Sequence, residues 1–324
     1  MKKIAILTSG GDASTMNKCI SSFATYAEKF NLEIYLVYAG FKGLVRNAIY
    51  KANNSEIKTW YNLPGTKILS ARFMEFAEQE NVDKAIDNLN QLGIDTLIVI
   101  GGDGSYKGAL RLHQSGFNVI GLPGTIDNDI TSTKYTIGFD TALNNIVTRI
   151  NEIKSCMTSH RDTAMIEIMG RHCTDLTVYA GLATEANILI TNENILSPSE
   201  LLEKIQFIRK TNKSGLIVLV TENLLGKNGI PSLEEYKQYI ESNSRELIKI
   251  NVLGYGQRGG SPSAMDLVRA TQMVYKACEC IQNNEYGKII GLDESENAIA
   301  YEIEEAVNKK QDSNNAQIIN KFFN

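Results

Sequence analysis

Three times in the first 130 residues an apolar run stops at a glycine-rich turn: IAILTSGGD at Ile4–Asp12, TLIVIGGDGSYKG at Thr96–Gly108 and VIGLPGTIDND at Val119–Asp129. Unbroken apolar runs, as opposed to alternating ones, mark strands buried on both faces, the pattern of a parallel sheet covered by helices. In open sheets of that kind the turns that follow the strands gather along the carboxyl edge, where ligands bind. The repeated strand-to-glycine junction therefore indicates an α/β fold and places a candidate site at one sheet edge.

The rest of the chain continues the alternation. Lys3–Thr8 reads as a first, central strand and Ala13–Phe30 as a helix whose apolar residues Met16, Ile20, Phe23 and Ala27 share a face. Glu33–Ala39 is a second strand, Gly40 and Gly43 fall in a loop, and residues 51–80 carry no regular pattern. Helices are expected over Val82–Leu92, Tyr106–Gln114, Thr141–Met157, Thr174–Thr184 and Ser232–Glu241. Ser197-Pro198 is an N-cap and first-turn pair opening another helix. Strands are expected at Asp95–Ile100, Asn118–Leu122, Ala164–Met169, Asn187–Thr191, Leu216–Thr221 and Leu247–Leu253. The loop Gly254–Pro262 leads into a helix ending at Ile281, and Lys288–Leu292 and Ile299–Val307 read as a last strand and helix. Strand–helix alternation gives largely parallel sheets, and this many strands favour two similar lobes over one sheet.

Composition removes several function classes. A formal charge of −4 over 324 residues argues against an electrostatic nucleic-acid binder. Five cysteines, an odd number, and an N-terminus that reads as a strand indicate a soluble cytoplasmic protein without a disulfide framework. No apolar run approaches the ~20 residues of a membrane helix. Cys278 and Cys280 form C-x-C without further ligands nearby, and His113, His160 and His172 show no metal spacing.

The glycine turns offer candidates for phosphate chemistry. In the third turn Asp127 and Asp129 stand two residues apart. On an extended loop they face one way, one suited to general-base work and the other to a metal or a positioned water. In the second, Gly101–Ser105 lets backbone N–H groups approach a polyphosphate at a helix start, and Asp103 suits water-mediated Mg²⁺. A plain strand-to-helix turn would look the same. No G-x-x-x-x-G-K-[ST] pattern is present. Arg72 is followed by Phe73, Arg171 follows a strand end, and Arg258 lies in a glycine-rich loop. A lone arginine is usually a solvated surface charge, but three placed this way are a candidate phosphate-binding set.

Taken in order, TSGGD, SARF, VIGGDGS, GLPGTIDND, EIMGR, TEN and LGxxQRGGSP resemble the bacterial ATP-dependent phosphofructokinase family from Lys3 to about Val307. The resemblance implies two Rossmann-like three-layer lobes with mainly parallel sheets and crossed connections, assembled as a homotetramer. Residues 1–138 with about 257–306 would bind ATP, and 139–256 with about 307–324 the sugar phosphate. It makes Asp127 the base for the 1-hydroxyl of fructose 6-phosphate, Thr125 and Arg171 the groups stabilising the moving phosphoryl, and Asp103 with Asp129 the Mg²⁺ site. Gly11, Arg72, Phe73, Gly102, Asp103, Gly104 and Ser105 match the ATP set. Met169, Gly170, Glu222 and Arg258 match sugar-phosphate contacts. Small Gly104 and Gly124 favour ATP as donor, since pyrophosphate-using relatives carry Asp and Lys there.

Three departures bear on the acceptor. Where the family has an arginine reaching a neighbouring subunit's substrate phosphate, this chain has Asp162, with Arg161 just before it. Lys249 replaces a second phosphate arginine and Tyr255 a substrate histidine. Lys249 keeps charge without the bidentate fork, so weakened acceptor binding is expected. Ser21, Thr25 and Asn54 stand where the family's effector site has arginines, leaving Lys154 and Lys213 as scattered charges and implying blunted allostery. A kinase of another sugar phosphate and a non-catalytic relative that kept the fold are the alternative readings.

Overall fold

The computed structural model describes residues 1–308 and 314–323. The chain divides into two units. One combines Met1–Thr141 with a segment that returns from Arg258, and the other combines Ala142–Gln257 with the C-terminal helix.

The first unit is built on a sheet whose strand order, β11-β10-β5-β4-β1-β2-β3, interrupts the chain order. Its strands are β1 (Lys2–Thr8), β2 (Leu32–Val37), β3 (Ile49–Lys51), β4 (Thr96–Gly101), β5 (Val119–Pro123), β10 (Lys288–Leu292) and β11 (Ala298–Glu302). The interior strands pair in parallel and only the edge strands β3 and β11 run antiparallel. Ile4–Leu7 and Leu97–Ile100 are fully buried, as continuous apolar runs in a two-sided sheet must be.

Helices α1 (Met16–Tyr26), α2 (Gly40–Val45), α3 (Asn54–Lys58), α4 (Gln79–Gln91), α5 (Asp103–Gln114), α10 (Ala264–Asn283) and α11 (Ile303–Asn308) belong to this unit. Met16, Ile20 and Phe23 of α1 are fully buried, as their helical spacing predicts. Each such side chain contributes roughly 1.5–3 kcal/mol by leaving water. Val82, Ala85 and Leu89 of α4 join Tyr106, Ala109 and Leu112 of α5 and Ile303 in one core cluster. Inside it Phe41 and Phe76 stack with ring centroids 4.3 Å apart.

The second unit holds a four-stranded parallel sheet, β7-β8-β6-β9. It comprises β6 (Thr163–Ile168), β7 (Ile188–Ile190), β8 (Leu216–Thr221) and β9 (Ile248–Val252). Helices α7 (Asp175–Thr184), α8 (Pro198–Arg209), α9 (Leu233–Asn243) and α12 (Asn315–Phe322) accompany them. The division between the units falls within α6 (Phe139–His160). Ser197 opens α8 through a reciprocal capping box with Glu200, and Ser232 opens α9 in the same way with Glu235.

Several sequence expectations change. Ile299–Val307 is not one helix: Ala298–Glu302 pairs antiparallel with β10 through a five-residue connection, and helix begins at Ile303. The connection is held by Asp293, whose Oδ1 accepts from the N–H groups of Ser295 and Asn297. Gly40 and Gly43 lie in a short helix, and the patternless 51–80 contains α3 and a 3₁₀ turn at Met74–Ala77. Elements of four to six residues are too short for an apolar period to register.

Cys278 and Cys280 lie buried in α10, where burial pushes their thiols up to about 12 and about 11. Cys19 and Cys173 are buried too, and Cys156 is exposed. Because the thiolate is the reactive form, the native protein should react with Ellman's reagent at one thiol and release the other four only on denaturation. More than one fast thiol in the native protein would contradict this burial pattern. Among the described residues no helix is long and apolar enough to cross a membrane.

Candidate active site

In the first unit the chain leaves β1 towards β2 on one side, then returns to place β4 on the other. The crevice outside the carboxyl ends of β1 and β4 is thus the point where strand order reverses, the preferred ligand position in open α/β sheets. All three glycine turns meet there. Ser9 N–H donates to Ile100 O (3.0 Å) and Gly124 N–H to Gly101 O (3.1 Å). Ser70 Oγ donates to Gly10 O (2.9 Å), which brings the Ser70–Phe73 segment to the first turn.

Gly102 caps α5, so Asp103, Gly104 and Ser105 form the helix's first turn, with its orphan N–H groups and positive dipole end. Asp103 Oδ2 is paired with Lys107 Nζ one turn on, at 2.7 Å. Thr125 packs beside Gly102: a β-carbon placed on Gly102 would lie 3.6 Å from Thr125 Cβ.

Asp127 and Asp129 do not lie on an extended loop. Asn128 between them has φ +55°, a left-handed turn that asparagine tolerates better than most residues. Its amide anchors the following loop, Oδ1 accepting from Thr136 N–H (2.9 Å) and Nδ2 donating to Lys134 O (3.4 Å). Thr125 Oγ1 accepts from Asp127 N–H at 3.2 Å. Thr125 and Asp127 are each 8% exposed and Asp129 is half-buried. Full burial, reinforced by the charge of Asp129, pushes the Tyr106 hydroxyl well above its usual range.

Arg72 is exposed, while the Phe73 ring packs against the core cluster. Arg258 lies over the first turn, its Nη1 donating to Asp12 O (2.9 Å) beside Gly11.

In the second unit Met169–Arg171 follows β6 and Glu222 follows β8, both at the carboxyl edge of the parallel pair. Glu222 Oε1 accepts from Gly170 N–H (3.2 Å) and Arg171 N–H (2.8 Å). Arg171 is exposed at φ +58°. Burial, reinforced by the charge of Glu222, raises the Glu167 carboxyl. Tyr255 is 84% exposed. Arg161, Asp162 and Lys249 sit at the opposite, amino ends of β6 and β9. A six-residue strand rises about 3.3 Å per residue, so these three lie about 20 Å from the Arg171 turn and are not gathered with it inside this unit. Lys249 Nζ is 3.7 Å from Asp162 Oδ2. Arg161 is exposed in a left-handed turn.

Residues 3–281 match the protein family described as Phosphofructokinase. The chain belongs to the phosphofructokinase family. The chain is 58% identical, over all 324 residues of both proteins, to the probable ATP-dependent 6-phosphofructokinase of Malacoplasma penetrans. It is 45% identical over 289 residues to the ATP-dependent 6-phosphofructokinase of Mesomycoplasma hyopneumoniae strain J, covering 89% of this chain and 88% of that one. Among solved structures, a phosphofructokinase from Saccharomyces cerevisiae is similar with TM-score 0.87 and 31% identity. The match covers 95% of this chain and 45% of the yeast chain.

Within this phosphofructokinase fold, three residues contribute that the motif reading gave no role. Asn128 shapes the third turn, Lys107 engages Asp103, and Gln257 accepts from Met169 N–H (3.0 Å). Asn128 had a legible signal, an asparagine flanked by carboxylates in a glycine-rich turn, and Gln257 stands within the LGxxQRGGSP motif, but its partner is 88 residues away.

Proposed function

We propose that this phosphofructokinase transfers the γ-phosphoryl group of ATP to the 1-hydroxyl of fructose 6-phosphate, giving fructose 1,6-bisphosphate and ADP. The convergence of the Gly11, Gly102–Ser105 and Thr125–Asp129 turns at the strand-order reversal carries the reading. The first unit would bind ATP through Gly11, Arg72, Phe73, Gly102, Asp103, Gly104 and Ser105. The helix start at Asp103–Ser105 supplies N–H groups to phosphate oxygens. Asp127 takes the proton from the 1-hydroxyl, and Thr125 and Arg171 stabilise charge on the phosphoryl in transfer. In the second unit Met169, Gly170 and Glu222 contact the sugar phosphate, with Tyr255 and Arg258 as further contacts.

Mg²⁺ belongs to this chemistry. Among the described residues no three His, Cys, Asp or Glu side chains form a metal cage. Mg²⁺ is ordinarily held by one or two carboxylates plus substrate phosphates and water. Asp103, at the mouth of the phosphate turn, and Asp129 suit that mode. The ion would neutralise phosphate charge.

The two glycines proposed to select the donor differ. A β-carbon at Gly104 meets nothing within 4 Å, so the protein itself has no need of glycine there, whereas one at Gly124 would lie 2.8 Å from Ile100 Cγ2. Gly104 is therefore the position that bears on ATP, and Gly124 is already required by packing.

Asp162 and Lys249 would face the 6-phosphate of a substrate in a neighbouring copy of a homotetramer. Paired with Asp162, Lys249 offers that phosphate little net charge. Asp162→Arg is expected to lower the KM for fructose 6-phosphate about 10- to 100-fold, one charge-assisted contact of about 1.5–3 kcal/mol, with the KM for ATP unchanged. An unchanged sugar KM would remove both residues from the acceptor site. The effector positions are quiet: Ser21 Oγ donates to Lys58 O and Thr25 Oγ1 to Ser21 O, so both hydroxyls serve the fold. Activation by ADP is accordingly weak. The proposed setting is the cytoplasm.

The test is a coupled assay with MgATP and fructose 6-phosphate beside a panel of other hexose phosphates. Turnover with fructose 6-phosphate supports the reading, faster turnover with another hexose phosphate shifts the acceptor, and none with any acceptor rejects it.

A further inference from the structure

We infer that Gln257, a residue with no role in the reading above, is a positioning residue that holds Arg171 in register for the phosphoryl group. The inference rests on the role proposed for Arg171.

The turn after β6 has an awkward backbone. Gly170 has φ +153° and Arg171 φ +58°, and a side chain on Gly170 would collide with the carbonyl of Cys173. A non-glycine residue in the left-handed region stays there only when its surroundings hold it. Here three consecutive N–H groups are each met by a side chain. Gln257 Oε1 takes Met169 N–H at 3.0 Å, and Glu222 Oε1 takes Gly170 N–H at 3.2 Å and Arg171 N–H at 2.8 Å. The turn is clamped from two sides, and the Arg171 side chain projects from the clamped backbone.

Gln257 differs from Glu222 in being 1% exposed. Its amide is used at both ends, Nε2 donating to Gly254 O at 3.0 Å, and its own carbonyl accepts from Asn145 Nδ2 at 3.4 Å. The buried amide thus joins the arginine turn to the 3₁₀ turn Gly254–Gln257 that presents Tyr255, and the backbone carbonyl of the same residue ties both to α6. A buried glutamine whose oxygen and nitrogen are both engaged is costly to replace with an apolar isostere, because two backbone groups lose their partners. A clamp that fails lets Arg171 shift, and misplacing a catalytic group by about 1 Å costs on the order of 100-fold.

The experiment compares Gln257→Met, Glu222→Gln, Glu222→Leu, Arg171→Ala and the double variant Gln257→Met/Arg171→Ala, with circular dichroism confirming the fold of each. Gln257→Met should lower kcat about 10- to 100-fold while leaving the KM for ATP within about twofold. On the Arg171→Ala background it should lower kcat no further. Glu222 is itself proposed to touch the sugar phosphate, so both of its variants should lose activity; Glu222→Gln, which retains an oxygen for the same N–H groups, should lose less kcat than Glu222→Leu. Unchanged kcat in Gln257→Met overturns the inference, as does a full additional loss in the double variant. If Gln257→Met does not fold, the two Glu222 variants decide whether the turn is clamped: equal kcat in both overturns the inference. Unchanged kcat in Arg171→Ala is a different failure, striking the role assigned to Arg171.

Discussion

Asp127→Asn is expected to lower kcat by about 10²–10⁴-fold with little change in the KM for ATP or in thermal stability. Asparagine has nearly the same volume and cannot accept the hydroxyl proton at neutral pH. The bond from Asp127 N–H to Thr125 Oγ1 is made by the backbone and survives the substitution. The left-handed Asn128, anchored through Thr136 and Lys134, keeps the turn in place. The loss corresponds to about 2.7–5.5 kcal/mol of barrier, at 1.36 kcal/mol per tenfold. Steady-state kinetics check it directly, and a kcat within fivefold of the wild type would show that the proton leaves by another route. Calorimetric ATP titration of the variant supplies the control, since binding is expected to persist when turnover does not.

Gly104→Asp is expected to separate stability from function. The position is in the first turn of α5, and a β-carbon there meets nothing within 4 Å. Glycine in a helix is ordinarily 0.5–1 kcal/mol worse than alanine, and an acidic residue near a helix start is favoured by the dipole. The melting temperature should therefore stay within about 2 °C of the wild type, the range of a surface change of ±0.5 kcal/mol. The nucleotide should suffer heavily. A carboxylate about 4 Å from a phosphate charge at a protein surface opposes it by up to about 4 kcal/mol, so the KM for ATP should rise by up to roughly several hundred-fold. A variant with normal ATP affinity would show that the open space at Gly104 lies away from the polyphosphate. A variant that unfolds would show that the glycine serves the fold.

The contrast with Gly124 illustrates what motif reading confuses. Both glycines sit in recognisable motifs and both are small where a pyrophosphate-using relative has a larger residue. One is surrounded by Ile100, Gly101 and Met16 and the other by nothing. Only coordinates distinguish a glycine required by its neighbours from one that leaves room for a ligand.

Strand and helix order was largely legible because two-sided burial writes continuous apolar runs and amphipathic helices write a 3.6 period. Ser197 was legible as a helix start because an N-cap followed by proline is a pattern of adjacent residues, and the structure adds the reciprocal bonds with Glu200 and, at Ser232, with Glu235. The misread segment Ile299–Val307 fails for the same reason in reverse. AIAYE is an edge strand whose pairing with β10 is a contact to another part of the chain, and local pattern cannot report it.

The candidate site divides along the same line. By itself the sequence determined which chemical groups the chain brings: glycine turns after buried strands, carboxylates at Asp103, Asp127 and Asp129, and arginines at turn positions. Those follow from local composition and short spacing. Tertiary structure alone decided that Arg258 lies over the first turn, that Lys249 is spent on Asp162, and that Gln257 reaches back 88 residues to Met169. Hydrogen bonds and ion pairs reach only about 3–4 Å, and which distant residues come that close is set by how the strands are ordered and packed.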